Sequence, residues 1–297
     1  MYQFGANQLY EFITNQQGAR RGRPDDRVDS VYALAIGDSQ TFGSGLAYED
    51  TYAARLEAAL GQPVLNLGVS GYGTVSAIRM ANEFLSLRPK VVILGYYYDH
   101  AVRSVSPCYP GFMLRCLSVP YVALDDSSGP HIVEPWDNQS VLEAQRAYYA
   151  YISGQAGQYS FLEDFYWTAR RIWADMLQSS EFFFGRRHLT VAQRVVVDEF
   201  LLRDFDAQIR AHGARLIIMY IPDYFGQRVV PAPAHLVALA SQLDAPFIDM
   251  TPDIQAAMDT DPDSIKVPND GHLNERGHEM MAFRLQEIIH GFQAISN

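Results

Sequence analysis

The sequence predicts an α/β fold in which five short strands form a parallel sheet and amphipathic helices connect them. Short apolar runs such as Val91-Val92-Ile93-Leu94 are continuous rather than alternating, as expected of strands buried on both faces. Helical patterns separate successive runs, and glycine-containing turns follow several of them. Strands that alternate with helices in this way form right-handed crossovers and a parallel sheet.

Length and composition are those of one large domain that carries an insertion. The chain has 297 residues, of which 48% are hydrophobic, enough for a large core. We therefore expect residues 1–297 to form a single domain. An insertion of helices and loops after the third strand, over roughly 101–190, is expected to form a cap or a cleft wall.

The charge balance restricts the partners. The chain has 23 Lys and Arg against 34 Asp and Glu, a net charge of −11. An acidic surface argues against nucleic acids and anionic membranes, but it is compatible with a neutral small-molecule or carbohydrate substrate. No apolar run reaches the roughly 18 residues of a membrane span. Residues 1–23 lack the basic-then-apolar order of a signal peptide, and compartment and oligomeric state stay open.

The N-terminal half is predicted to contain three strands and two helices. Residues 1–29 are polar and irregular and precede the first strand. The strands are expected over 31–36, 63–69 and 91–95, and the helices over 48–60 and 74–87. A glycine-rich loop, Ser70 to Thr74, leads into the second helix.

The insertion begins with a loop-rich stretch and continues with aromatic-rich helical segments over about 141–176. Its aromatic side chains either line a substrate cleft or pack the helices onto the domain. Cys108 and Cys116, the two cysteines of the chain, either form a local disulfide or stay as free thiols.

The C-terminal half returns to alternating helices and strands. Helices are expected over 191–212, 234–243 and 275–292, and strands over 214–222 and 246–250. Gly213 ends the first of these helices, as glycine commonly does. A polar loop over 266–274 precedes the last helix.

A tight strand-to-helix turn around Ser39 is the first candidate for chemistry. Gly37 lets the chain bend at the strand end, and Gly43 and Gly45 leave space around the hydroxyl. The start of the helix favours negative charge, which suits a nucleophile that reacts through an oxyanion. The alternative is that Asp38 and Ser39 only cap the helix and brace the turn.

His272 and Asp270 complete a possible serine-hydrolase set. Both precede the last helix, so they are expected at the carboxyl edge of the sheet together with Ser39. His272 can act as the base and Asp270 can orient its imidazole. Backbone N–H groups of Ser39 and Gly71 are the candidate oxyanion donors. No metal-type spacing of His, Cys, Asp and Glu is present, so no metal site is expected.

The motifs resemble those of the SGNH (GDSL) hydrolase superfamily. Gly37-Asp38-Ser39-x-Thr41-x-Gly43 resembles its first block, the stretch from Asn66 to Thr74 its second, and the stretch from Asp270 to His278 its last. Asn15-x-x-Gly18-x-Arg20 is similar to a segment that precedes the first block in many bacterial members. The resemblance implies a three-layer αβα sandwich with flavodoxin-like strand order, a Ser-His-Asp mechanism, and neither metal nor cofactor.

Two positions depart from the family pattern. The third block normally supplies an Asn side chain as a further oxyanion donor, where this chain has Tyr98 or, with a different gap, Tyr97. We assign the donor role to Tyr98. The common Asp-x-x-His spacing would place Asn269 as the orienting residue, and we assign that role to Asp270 instead, a spacing that some polysaccharide-modifying members share.

Three functions are compatible with these residues. The first is a serine esterase that removes short acyl groups, acetyl above all, from a carbohydrate or small ester. The second is an O-acyltransferase of the same fold that modifies a polysaccharide. The third is a catalytically weakened carbohydrate-binding descendant, which the tyrosines in place of Asn would explain. His278 and Asp99 are read as structural residues.

Overall fold

A computed structural model describes residues 2–4, 8–10, 12–108, 118–125, 127–135, 189–225, 228–268 and 270–296. The strands that it contains are, in chain order, β1 (Tyr2–Phe4), β2 (Gln8–Tyr10), β3 (Ile13–Thr14), β4 (Arg20–Arg21), β5 (Ala33–Gly37), β6 (Val64–Asn66), β7 (Val91–Tyr97), β8 (Tyr121–Asp125), β9 (Gly129–Val133), β10 (Arg215–Ile221), β11 (Tyr224–Phe225), β12 (Arg228–Val229) and β13 (Phe247–Asp249).

The α-helices of the described residues are α1 (Ser39–Phe42), α2 (Tyr52–Leu60), α3 (Thr74–Phe84), α4 (His100–Ser104), α5 (Val191–Ala211), α6 (Ala234–Gln242), α7 (Thr251–Thr260) and α8 (Glu275–Ser296). Short 3₁₀ turns, Tyr48–Asp50 and Leu85–Leu87, flank α2 and α3. None of these helices combines the length and the apolar composition needed to cross a bilayer.

The main sheet has seven strands in the order β13-β10-β7-β5-β6-β4-β3. The strands from β13 to β6 run parallel, whereas β4 pairs antiparallel with β6, and β3 with β4. After β3 and β4 at one edge, the chain enters the parallel part of the sheet at β5, moves to β6 on one side, and then crosses to β7, β10 and β13 on the other. The point where this direction changes, between β5 and β7, is where open α/β sheets bind ligands.

Alternate residues of the strands face two separate cores. Leu34 and Ile36 of β5 point into the core beneath α3, α5 and α6, whereas Ala33 and Ala35 point into the core beneath α2, α7 and α8. The parallel strands are therefore covered on both faces, which explains their continuous apolar sequence.

The α/β class is confirmed, and two details of the prediction need correction. The sheet is mixed rather than purely parallel, because β3 and β4 extend one edge in the antiparallel sense. Residues 1–29 are not irregular throughout, since β1 to β4 lie there. Both corrections concern strands of two or three residues, which are too short to produce a readable hydrophobic pattern.

Most of the predicted insertion lies outside the described residues. The parts that are described contain α4 and an antiparallel hairpin of β8 and β9. Cys108 is disulfide-bonded, and Cys116 lies outside the described residues. The aromatic segments over 141–176 also lie outside them, so the cap or cleft wall stays a prediction, as does the single domain.

Candidate active site

Ser39 opens α1 immediately after the first parallel strand. Gly37 ends β5 with φ +152°, a backbone conformation that favours glycine. Asp38 caps the helix, because its Oδ1 accepts the N–H of Gln40 at 3.0 Å. Ser39 is 8% exposed at the carboxyl edge of the sheet. The cap prediction for Asp38 therefore holds, and it is compatible with a reactive Ser39.

The end of β6 packs directly against this turn. The Nδ2 of Asn66 donates to the Thr41 carbonyl at 2.9 Å, and its Oδ1 accepts from Gly68 N at 3.0 Å. A Cβ at Gly68 would lie 2.8 Å from the Thr41 carbonyl carbon, so only glycine permits this approach. The Asn66–Thr74 segment therefore supports the backbone of the Ser39 turn.

The loop after β6 brings Gly71 toward the nucleophile turn. Val69 N donates to the Gly37 carbonyl at 3.1 Å, and Tyr72 N closes a turn on Val69 O at 3.1 Å. Gly71 sits inside that turn with φ +78°. The backbone of this loop is thus tied to the residue that precedes Asp38 and Ser39.

His272 and Asp270 form a direct pair. Asp270 Oδ1 contacts His272 Nδ1 and also accepts the His272 backbone N–H at 2.9 Å. Burial raises the pKa of Asp270, but its hydrogen bond to His272 and the charge of that residue outweigh burial, and the net shift is downward. Asp270 is therefore a carboxylate at neutral pH. Asn269, the alternative orienting residue, lies outside the described residues.

The His272 loop and the Ser39 turn meet through one side chain. Gln40 Nε2 donates to the Gly271 carbonyl at 3.2 Å, and Gln40 Oε1 accepts from Leu273 N at 3.1 Å. His272 lies between these two anchoring points. Residues that are more than 230 positions apart in sequence are thus hydrogen-bonded next to Ser39.

A half-buried arginine lies on the other side of the turn. Arg103 Nη1 is 2.8 Å from Asp38 Oδ2 and donates to Tyr72 O at 3.4 Å, and Arg103 Nε is 2.8 Å from Asp99 Oδ1. Burial raises the pKa of Asp38, and the charge of Arg103 opposes that effect. The guanidinium links the Ser39 turn, the Gly71 loop and the end of β7.

The two tyrosines that replace the third-block Asn have different surroundings. Tyr97 lies under Arg103, 5.3 Å from guanidinium carbon to ring centroid, and burial and the negative charge of Asp223 raise its pKa. Tyr98 meets Tyr97 edge-on at 4.9 Å and packs against the core beneath α3, α5 and α6. The donor role assigned to Tyr98 stays a prediction.

The segment that precedes the first block supports the glycine loop after α1. Arg20 is 2% exposed and donates to the carbonyls of Phe42, Gly43 and Leu46. Burial is the main cause that lowers its pKa, to about 10. This arginine therefore holds the backbone at the end of α1 and in the loop after it.

His278 is placed as a structural residue. Its Nδ1 accepts the backbone N–H of Tyr52, the first residue of α2, at 3.0 Å. Burial lowers its pKa to about 3. Asp99, the other residue read as structural, pairs with Arg103.

Gln40 and Arg103 were missed by the sequence analysis. The sequence signal for Gln40 is a long amide side chain directly after Ser39. The spacing of Asp99 and Arg103, four residues apart, is the usual signal for a helical ion pair. Within the described part of the chain, no group of three or more His, Cys, Asp or Glu could hold a metal ion.

Comparisons with known proteins return distant structures only. No protein-family profile and no curated protein match the chain. A psychrotrophic esterase, EstA from Pseudoalteromonas sp., is 11% identical, with 89% of this chain and 100% of that chain covered and a TM-score of 0.44. A two-domain esterase (CEX) active on acetylated mannans is 15% identical, with 88% and 48% covered and a TM-score of 0.46.

A third structure is a protein of the G-D-S-L family from Desulfitobacterium hafniense. It is 11% identical, with 87% of this chain and 99% of that chain covered and a TM-score of 0.42. The proposed function therefore rests on the residues of the site.

Proposed function

We propose that this chain is a serine-dependent carboxylic ester hydrolase of the SGNH (GDSL) type. The observation that carries the proposal is the Asp270–His272 pair, whose loop is hydrogen-bonded on both sides of His272 to the residue after Ser39. A base that is oriented by a carboxylate and anchored beside a helix-opening serine is the arrangement that nucleophilic ester hydrolysis requires.

The reaction proceeds through an acyl-serine. His272 Nε2 takes the proton of Ser39 Oγ as the oxygen attacks the ester carbonyl, and Asp270 stabilises the imidazolium that forms. The N–H groups of Ser39 and Gly71 stabilise the oxyanion, with Tyr98 as the proposed third donor. The proton returns to the departing alcohol, and water then releases the acid by the same steps.

The proposed substrates are short-chain acyl esters, acetyl esters above all, of a carbohydrate or a small molecule. The support is the Asp-x-His spacing, which resembles that of polysaccharide-modifying members of the superfamily, together with an acidic chain that suits a neutral substrate.

The test is labelling with a fluorophosphonate probe, combined with turnover of p-nitrophenyl acetate. We expect the wild-type chain to be labelled and active, and Ser39→Ala to lose both. Ser241→Ala, an exposed serine at the end of α6, is the matched control and keeps both. A folded wild-type chain that neither reacts with the probe nor turns over short esters would overturn the proposal.

An O-acyltransferase is the second candidate, because it uses the same acyl-serine. Its support is the Arg20 segment, which is similar to one found in many bacterial members and which contacts the loop after α1. Product analysis with a sugar acceptor decides between the two: free acid alone identifies a hydrolase, and an acylated sugar identifies a transferase. Sugar binding without any serine-dependent turnover would instead identify a binding protein.

A further inference from the structure

The loop that carries His272 is a small hairpin with hydrogen bonds of its own. Val267 N donates to His272 O at 2.9 Å, and Asp270 N donates to Val267 O at 3.0 Å. Lys266 and Leu273 form an isolated antiparallel bridge. These bonds shape the hairpin internally, but they do not define its position relative to Ser39.

The side chain of Gln40 connects this hairpin to the Ser39 turn. Its side-chain amide uses both ends on the loop, with Nε2 on the Gly271 carbonyl at 3.2 Å and Oε1 on Leu273 N at 3.1 Å. Gln40 is 3% exposed and Leu273 is fully buried, so water cannot easily replace the bond to Leu273 N, whereas Gly271 is exposed. The backbone of Gln40 is itself held, since its N–H donates to Asp38 Oδ1 at 3.0 Å.

A second donor reaches the same carbonyl. The hydroxyl of Tyr224, on β11, donates to Gly271 O at 2.9 Å. A carbonyl oxygen has two lone pairs, so Gln40 and Tyr224 can bind it together. The turn just before His272 is therefore held from the nucleophile side and from the hairpin of β11 and β12.

We propose that Gln40 is the positioning residue that sets His272 in register with Ser39. The proposal rests on the proposed function, because the register matters only if His272 takes the proton of Ser39. General-base catalysis depends on the distance between the base and the hydroxyl, and a displacement of about 1 Å can cost about 100-fold in rate. Gln40 acts through the loop and not on the substrate.

The first experiment compares wild type with Gln40→Met, which keeps the length of the side chain but removes its donor and acceptor. We expect kcat for p-nitrophenyl acetate to fall about 10- to 100-fold, with KM within about twofold. The rate of fluorophosphonate labelling should fall by a similar factor. Gln208→Met, a half-buried glutamine of α5 whose Nε2 donates to Asp204 of the same helix, is the matched control and should leave both rates unchanged.

The second variant, Gln40→Glu, separates positioning from general damage to the fold. A carboxylate can still accept from Leu273 N, but it cannot donate to Gly271 O and it adds negative charge beside His272. We expect the acid limb of the kcat/KM profile to move to higher pH in this variant, whereas Gln40→Met keeps the limb in place with a lower plateau.

Tyr224→Phe provides a milder perturbation if the Gln40 variants fold poorly. It removes only one of the two donors to Gly271 O, and we expect a smaller loss of kcat at unchanged KM. A Gln40→Met protein that is folded and retains wild-type kcat overturns the positioning role and leaves the proposed function intact. A wild-type chain that Ser39-directed probes do not label overturns both proposals.

Discussion

At the scale of single residues, Asp38 shows how much depends on one buried carboxylate. One oxygen caps α1 and the other pairs with Arg103, and Asp38 is fully buried. A buried carboxylate that loses its cationic partner is left with an uncompensated charge, which costs far more than the pair contributes. Arg103 is therefore expected to be required for the shape of the nucleophile turn.

Arg103→Met should lower the free energy of unfolding by about 3 kcal/mol, because it leaves Asp38 buried and unpaired. The measurement is urea denaturation of the variant, of Asp38→Asn, and of the double variant. The double variant should lose less than the sum of the two single losses, since Asn does not need the cation.

Arg27→Met is the control for this comparison. Arg27 pairs with Asp29 on the surface, where the two side chains are 67% and 89% exposed, so the change should stay within about 0.5 kcal/mol. Additive losses in the double variant would contradict the coupling between Arg103 and Asp38.

At the scale of elements, glycines let α1 lie against the ends of the central strands. Gly37 of β5 pairs in register with Gly95 of β7, and a Cβ on either residue would collide with the Thr41 hydroxyl. The two strands can therefore bring α1, and with it Ser39, close to the sheet only because both positions lack a side chain.

Gly95→Ala should displace α1. Its effect on stability and activity should be larger than expected from the volume of one added methyl group. We expect the free energy of unfolding to fall by about 1 to 3 kcal/mol, and kcat for a short ester to fall at least about 10-fold. Adding Thr41→Ala removes the colliding hydroxyl, so the double variant should recover part of the stability.

The control for this prediction is Gly291→Ala in α8. A Cβ at Gly291 meets nothing within 4 Å, and alanine is the better helix former, so stability should stay the same or rise by up to about 1 kcal/mol. If Gly95→Ala behaved like this control, the close approach of α1 to the sheet would not matter.

At the scale of the whole molecule, two buried histidines make the fold sensitive to acid. Burial lowers the pKa of His278 to about 3 and that of His100 well below its ordinary value. In the unfolded chain both would titrate near 6.5. Below that pH the unfolded state binds more protons than the folded state, so stability falls as pH falls toward 3.

His278→Gln should remove part of this acid sensitivity. With a folded pKa of about 3, His278 costs about 2 kcal/mol of stability on going from pH 7 to pH 5. The difference in the free energy of unfolding between wild type and the variant should thus be about 2 kcal/mol smaller at pH 5 than at pH 7. His290→Gln, an exposed histidine of the same helix, is the matched control.

This comparison uses urea denaturation of each variant at both pH values. Any loss that is independent of pH, such as a weaker acceptor for Tyr52 N, cancels in the difference between the two pH values. A His278→Gln protein with the same stability deficit at pH 5 and pH 7 would contradict the assignment of a buried neutral imidazole.

The sequence alone determined those features that depend on local patterns. The apolar runs 91–95 and 214–222 were readable because strands buried on both faces need uninterrupted apolar residues, and β7 and β10 lie there. The Asp270–His272 contact joins residues two positions apart, so the sequence spacing was enough to predict that pair. The catalytic roles of Ser39, His272 and Asp270 stay predictions.

Only the tertiary structure decided how these parts meet. Gln40 reaches Gly271 and Leu273 across more than 230 positions of sequence, and Arg103 reaches Asp38 across 65. The short edge strands β3 and β4 also depend on their neighbours rather than on their own sequence. Such contacts leave no periodic signal in the chain, because they arise from packing and buried hydrogen bonding between distant segments.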